Sequence, residues 1–311
     1  MTDVIEITNL SKDYETGFWK KKKVRALDDL TLSVHGQQIF GFLGENGAGK
    51  TTTIKILMTL LFPSSGRAQI LGQDISDKSV HSRIGYCPEN PYFYDYLTAR
   101  ELMNYFGELF QLEPKVRKGR TEELLTKVGL DEKDWNKQLR KFSKGMLQRV
   151  GLAQSLINEP EIVFLDEPMS GLDPIGRREI RELIANLPAN GTTVFMSTHI
   201  LSDAEALCDE VAILRRGRLA AAGKLHDLVS ESNERESFEI VIANADADKL
   251  TRSLNGNVEV KQRAADVLMI VDGEENVEEA LRAAHDAGGK LISINPIRRS
   301  LEDLFVEKAR D

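Results

Sequence analysis

Gly44, Glu45, Asn46, Gly47, Ala48, Gly49, Lys50 and Thr51 spell G-x-x-x-x-G-K-[ST], a complete phosphate loop. Glycines let a tight turn bring backbone N–H groups against phosphate oxygens, and the helix that follows points its positive end at them. Lys50 is placed to reach the β- and γ-phosphates of a nucleoside triphosphate, and the Thr51 hydroxyl to hold Mg²⁺. The flanking sequence has the required form. Gln38 to Leu43 is a short apolar run of strand type, and apolar residues recur at helical spacing from Thr52 to Leu61.

A second chemical element lies about 115 residues downstream of the loop. Ile162-Val163-Phe164-Leu165 is an apolar strand that ends in Asp166 and Glu167. Side chains alternate along a strand, so two adjacent acids at its end can serve different tasks. Asp166 suits Mg²⁺, directly or through water, and Glu167 could accept a proton from an attacking water. Ser170-Gly171-Leu172-Asp173-Pro174 follows as a tight turn. His199 comes after the strand Thr193-Val194-Phe195-Met196, at the carboxyl end where open α/β sheets hold their ligands. Ser143 opens another helix, Lys144-Gly145-Met146-Leu147-Gln148-Arg149, and makes a second anion-binding terminus. One nucleotide per chain does not need two such termini. A two-fold, head-to-tail dimer does, with the Ser143 terminus of each copy closing on the γ-phosphate held by the other.

The elements that position these groups alternate between strand and helix. Short strands are expected at Val4 to Ile7, Val24 to Leu27, Leu30 to Val34 and Gln38 to Leu43, then at Ala68 to Asp74 and Arg83 to Cys87. Thr98 to about Gly129 is amphipathic and helical, and helix resumes after Ser143. A βαβ alternation follows, with a helix over Arg177 to Leu187. Ser230 to Ser237 has no apolar residue and reads as linker or frayed helix end. Beyond it the order is βαββαβ, with strands at Phe238 to Ile242, Val258 to Val260, Val267 to Val271 and Lys290 to Ile294. A terminal helix is expected over Leu301 to Ala309. That order predicts a small ferredoxin-like α+β domain.

The expected organisation is an α/β P-loop domain over residues 1–225, β-rich at its start and carrying a helical subdomain at about 88–155. A linker at 226–237 leads to an accessory α+β domain at 238–311. The charge supports that boundary. Residues 225–311 hold 11 basic and 19 acidic side chains, whereas the rest of the chain is balanced, which argues against nucleic acid as the partner of the tail. Lys20 to Lys23 with Arg25 form one local basic run, read as a solvated hairpin tip, with anionic lipid as the sharper reading. No apolar run approaches the ~18–20 residues that span a bilayer. The first residues are no secretory signal, and Cys87 and Cys208 are the only cysteines, so a reducing cytoplasm is expected.

Taken in order, these parts resemble the ATP-binding-cassette (ABC) ATPase family over residues 4 to about 225. They are Tyr14, the phosphate loop, Gly85-Tyr86-Cys87-Pro88-Glu89 at the glutamine-loop position, the Ser143–Arg149 signature, Asp166-Glu167, the Ser170–Asp173 turn and His199. The resemblance implies that Tyr14 stacks on adenine, with Phe18 or Trp19 as competitors because the stretch before Arg25 is longer than usual. It implies that Gly44 to Thr52 cradle the phosphates of ATP, that Thr51, Asp166 and Glu89 serve Mg²⁺, and that Lys50, Glu89, Glu167 and His199 form the catalytic set. Ser143 and Gly145 would act across the dimer, and Asp173 would couple the two sites.

Two departures narrow the subgroup. The loop glutamine is Glu89, and the usual Leu-Ser-Gly-Gly-Gln signature is Phe-Ser-Lys-Gly-Met. Both variants, and the ending Ser300 to Phe305, resemble the exporter-type subgroup. The expectation is an ATPase subunit, peripheral on the inner face of the membrane, that dimerises with itself or a related subunit and drives a permease on a separate chain. Three other readings find less support. A DNA-acting cassette needs a long heptad insertion and a ribosome-acting one a second cassette; neither is visible. A G-protein switch needs Asn-Lys-x-Asp, and Asn136-Lys137-Gln138-Leu139 lacks the acid. A nucleotide sensor without turnover is opposed by Glu167 and His199.

Overall fold

The computed structural model describes residues 2–16, 22–230, 237–254, 258–263, 266–297 and 301–302. The chain divides into two compact units, Met1–Leu225 and His226–Asp311. Phe18, Trp19 and Lys20–Lys21, named above, lie outside the described residues.

Unit one starts with two long strands, β1 (Asp3–Thr16) and β2 (Lys22–His35), where shorter ones were expected. The sequence alternation breaks at Asn9 and Asp29, yet pairing continues through shifts of register. Both residues take left-handed backbone, φ 49° and 58°, and Asn9 Nδ2 donates to Asp29 Oδ1 at 2.8 Å. Such bulges keep Ile7, Leu10, Leu27 and Leu30 on the buried face although they are not evenly spaced. Strand β3 (Ile39–Leu43) leads through the phosphate loop into α1 (Lys50–Leu57). That helix stops before Leu61 because Thr59 turns left-handed, φ 54°, and leaves Leu60 exposed. Strands β4 (Ser65–Ile70) and β5 (Gln73–Asp74) complete an antiparallel sheet in the order β2-β1-β4-β5.

The second sheet carries the chemistry. Strand β6 (Ile84–Cys87) is followed by α2 (Ala99–Leu109), α3 (Pro114–Lys127) and α4 (Lys144–Ser155), which pack on one another as the helical subregion. A capping box between Thr98 and Glu101 starts α2, and Pro114 is pre-set for the first turn of α3. Helix α4 also lies on β6, where Gly85 is required: a Cβ there would overlap the Ser155 carbonyl. Then come β7 (Ile162–Asp166), α5 (Pro174–Ala185), β8 (Thr193–Thr198), α6 (Leu201–Leu207), β9 (Glu210–Arg215) and β10 (Arg218–Lys224). The sheet order is β10-β9-β3-β8-β7-β6, with β9, β3, β8, β7 and β6 parallel. Phe195 of β8 lies at its centre, 5.5 Å from Phe40, 5.3 Å from Phe42 and 5.5 Å from Phe164 between ring centroids. All four rings are buried, so β3, β7 and β8 are locked together below their carboxyl ends.

Part of the stretch expected as linker is helical. Leu225, Leu228 and Val229 have helical spacing, and α7 (Leu225–Ser230) forms there. Residues 231–236 lie outside the described residues, and β11 (Ser237–Ala243) begins directly after them. Unit two continues with α8 (Ala247–Ser253), β12 (Val258–Arg263), β13 (Asp266–Asp272), α9 (Glu274–Asp286) and β14 (Lys290–Ile297). Its antiparallel order β12-β13-β11-β14 is the ferredoxin-like arrangement. Ile240, Ile242, Val267, Met269 and Val271 face Leu250, Ala280 and Ala284 in a separate core. Leu301 and Glu302 are helical, and the rest of the expected terminal helix lies outside the described residues. Among the described residues no helix is long and apolar enough to cross a membrane.

Candidate nucleotide site

The carboxyl ends of β3, β8 and β7 lie side by side, and each delivers one part of the site. Strand β3 delivers the phosphate loop. Gly49, the residue before α1, has φ 114°, and a Cβ there would stand 2.7 Å from the Ala26 carbonyl oxygen and Leu27 Cδ2. Only glycine lets the loop close against β2 in this way. The loop leaves a cavity of about 390 Å³, lined by Ala26, Glu45, Asn46, Gly47, Gly49, Lys50, Thr51, Thr52, Glu89, Glu167 and His199. Residues from five separate parts of the sequence therefore face one space.

Lys50 is buried, and its Nζ donates to the Gly44 carbonyl at 2.7 Å and the Glu45 carbonyl at 3.3 Å. It also stands 3.6 Å from Glu167 Oε1. The same oxygen lies 2.8 Å from His199 Nδ1. Glu167 is thus held between a fixed cation and an imidazole at low exposure, where charge interactions are weakly screened. Its backbone is left-handed, φ 51°, an uncommon conformation for a non-glycine residue. Asp166 ends β7, 1% exposed and not among the residues lining this cavity, with its Oδ1 accepting from Ser197 Oγ. Nearby Cys87 has its thiol pushed up to about 12, by burial first and the Asp166 charge second. Burial and the same charge raise the Tyr86 phenol.

The other expected residues occupy distinct places. Tyr14 on β1 reaches the rim, its hydroxyl 3.4 Å from Thr52 Oγ1 and its ring under Lys12 Nζ at 5.5 Å. Ser143 caps α4 by accepting from the Met146 N–H at 3.2 Å. A Cβ added at Gly145, in the first turn of α4, would stand 3.2 Å from the Gly171 carbonyl oxygen. Lys144, where the resemblance has glycine, donates to Ser170 Oγ at 3.3 Å. Asp173 caps α5 by accepting from the Gly176 N–H at 3.0 Å. Ser143, Gly145 and Asp173 are not among the residues lining the 390 Å³ cavity. A smaller cavity of about 180 Å³ joins Glu167 and His199 to Ser170, Gly171, Leu172 and Arg177.

Two side chains have contacts that were not legible in the sequence. Ser197 is one, because its role depends on the register of β8 against β7, which pairs it with Asp166. Arg149 is the other. Its guanidinium donates to the Val128 carbonyl at the end of α3 and stands 2.8 Å from Glu179 on α5. The helical subregion is thereby tied to the helix that begins at the Asp173 turn.

A family model described as "ABC transporter" matches residues 27–170. An uncharacterised ABC transporter ATP-binding protein of Synechocystis is 44% identical over 99% of this chain and 85% of its own length. The bacitracin transport ATP-binding protein BcrA of Enterococcus faecalis is 33% identical over 98% of this chain and 96% of its own. Among solved structures, the dimeric post-hydrolysis state of the ATP-binding cassette MJ0796 with ADP and Pi superposes with a TM-score of 0.66. It is 25% identical and covers 71% of this chain and 98% of the other. By sequence along nearly its whole length, and by the fold of unit one, this chain belongs to the ATP-binding subunits of the ABC transporter family, P-loop ATPases whose ATP turnover drives transport.

Proposed function

We propose that two copies of this chain close head-to-tail on ATP and Mg²⁺ and use hydrolysis to drive export through a permease on a separate polypeptide. The observation that carries the proposal is the convergence of Lys50, Glu167 and His199 on one cavity with Thr51 and Glu89. Backbone N–H groups from Gly44 to Thr52, with Lys50, would cradle the phosphates, and Tyr14 at the rim would stack on adenine. Glu167, fixed by its neighbours, would take the proton of the attacking water, and His199 would contact the γ-phosphate.

The donor set fits Mg²⁺. Among the described residues no three carboxylate, imidazole or thiol groups converge into a cage. One hydroxyl, Thr51, and the carboxylates of Asp166 and Glu89 suit an ion that keeps waters and takes substrate phosphate oxygens. Bound there, Mg²⁺ would neutralise charge developing between the β- and γ-phosphates. The Ser143 helix terminus of one copy would face the γ-phosphate held by the other, with Gly145 allowing close approach and Asp173 linking the two sites. The bacitracin-transport relative supports an exporter role. Exposed Tyr92, Tyr94, Tyr96 and Tyr105 on the helical subregion would offer an apolar face to the permease. The subunit would then sit at the inner face of the membrane. Units one and two would be the ATPase and an accessory domain.

The test is affinity purification of the chain from detergent-solubilised cells, with mass spectrometry of its companions. A stoichiometric multi-span membrane protein is expected. Recovery of only ribosomal or DNA-bound companions would overturn the transporter reading.

A further inference from the structure

Ser197 is 0% exposed, near the carboxyl end of β8 and opposite Asp166 in β7. A serine hydroxyl has one donor and two acceptor sites. Here the donor goes to Asp166 Oδ1, and the oxygen accepts the backbone N–H of Glu167 at 3.2 Å. That same N–H lies 3.2 Å from the Ser197 carbonyl oxygen. One residue on the neighbouring strand therefore holds both acids. The next residue is used differently: Thr198 Oγ1 accepts from the Ile200 N–H at 3.0 Å and shapes the turn into α6. Then His199 Nδ1 meets Glu167 Oε1 at 2.8 Å.

Glu167 needs such a hold. Its φ of 51° is a conformation that persists in non-glycine residues only where the surroundings fix it. Asp166 needs one too, since a free carboxylate can rotate its oxygens away from a ligand. Metal-ligating carboxylates are commonly oriented by a hydrogen bond from behind.

We propose that Ser197 is the positioning residue of the hydrolytic centre. Its hydroxyl orients the Asp166 carboxylate for the divalent cation and fixes the backbone turn that aims Glu167 at the attacking water. This rests on the roles given above to Asp166 and Glu167. A serine present only to fill space would be replaced without loss by alanine, which is smaller by one oxygen.

The experiment compares wild type, Ser197→Ala and Ser197→Cys. Binding of a fluorescent ATP analogue is titrated first in EDTA and then against Mg²⁺, and kcat and KM for ATP are measured alongside. In Ser197→Ala, binding in EDTA stays at the wild-type level while the half-saturating Mg²⁺ concentration rises about 10-fold or more. The kcat falls and KM for ATP changes little. Cysteine keeps the shape with a somewhat larger sulfur but is a weak donor, so Ser197→Cys shows the same Mg²⁺ defect even if the alanine variant is unstable. A wild-type Mg²⁺ midpoint and kcat in either folded variant overturns the proposal. Loss of binding in EDTA to the same extent as in Mg²⁺ also overturns it, because the role is then structural. A wild-type chain with no Mg²⁺-dependent hydrolysis would instead overturn the ATPase roles on which the proposal rests.

Discussion

Glu167 Oε1 lies 2.8 Å from His199 Nδ1, across the ends of two adjacent parallel strands. Lys50 approaches the same oxygen at 3.6 Å. A carboxylate so placed has its position set before any water reaches it, and its removal should cost chemistry more than binding. In Glu167→Gln we expect ATP binding to persist and ATP-bound dimers to accumulate, while turnover falls by roughly 10²–10⁴. Phosphate release and size-exclusion chromatography with ATP would measure both. Hydrolysis at the wild-type rate would refute the base assignment.

The Ser143 hydroxyl caps α4 and is not among the residues lining the cavity of its own chain. A bulky cation at this terminus should therefore block the partner's nucleotide and spare its own. For Ser143→Arg we expect turnover to vanish and nucleotide affinity to hold within about 3-fold. The lost cap should lower stability by about 1 kcal/mol. Isothermal titration with ADP would separate the effects, and failure to bind ADP would argue against the cross-dimer role.

Phe195 joins the three strands that present the site, contacting Phe40, Phe42 and Phe164. Truncation leaves a cavity at the centre of the sheet. Phe195→Ala should cost about 3–5 kcal/mol of stability in urea unfolding. Nucleotide binding should weaken as well, because the strand ends lose their common support. A loss below about 1 kcal/mol would show that the ring cluster can collapse without consequence.

Both cysteines are buried, and burial pushes each thiol up to about 12 from 9.0. The folded chain thus keeps these protons where the unfolded chain gives them up. The stabilisation is complete below about pH 9 and is lost as pH rises from 9 towards 12. Melting temperature should be flat from pH 7 to 8.5 and fall above 9, less steeply in Cys87→Ala. Native protein at pH 8 should react with neither thiol, and unfolded protein with both. Rapid labelling of folded protein would contradict the burial.

The chemistry and the local elements were legible in the order of residues alone. A phosphate loop must follow a strand and open a helix, so Gly44 to Thr51 were legible without any fold. The same holds for the caps, since Ser143 and Asp173 do their local work within four residues. Periodicity also outlined the βαββαβ order of unit two. Where the expected strands failed, the cause lay in pairing and burial. The bulges at Asn9 and Asp29 hid two long strands, and β9 was not anticipated because it is buried as an inner strand rather than alternating. Adjacency came from the fold. The order β3-β8-β7 brings Lys50, His199 and Glu167 to one oxygen, although up to 149 residues separate them along the chain. Ser197 shows the limit most clearly: its hydrogen bonds exist because parallel pairing sets Asp166 opposite it, and no spacing within one strand encodes the register of two.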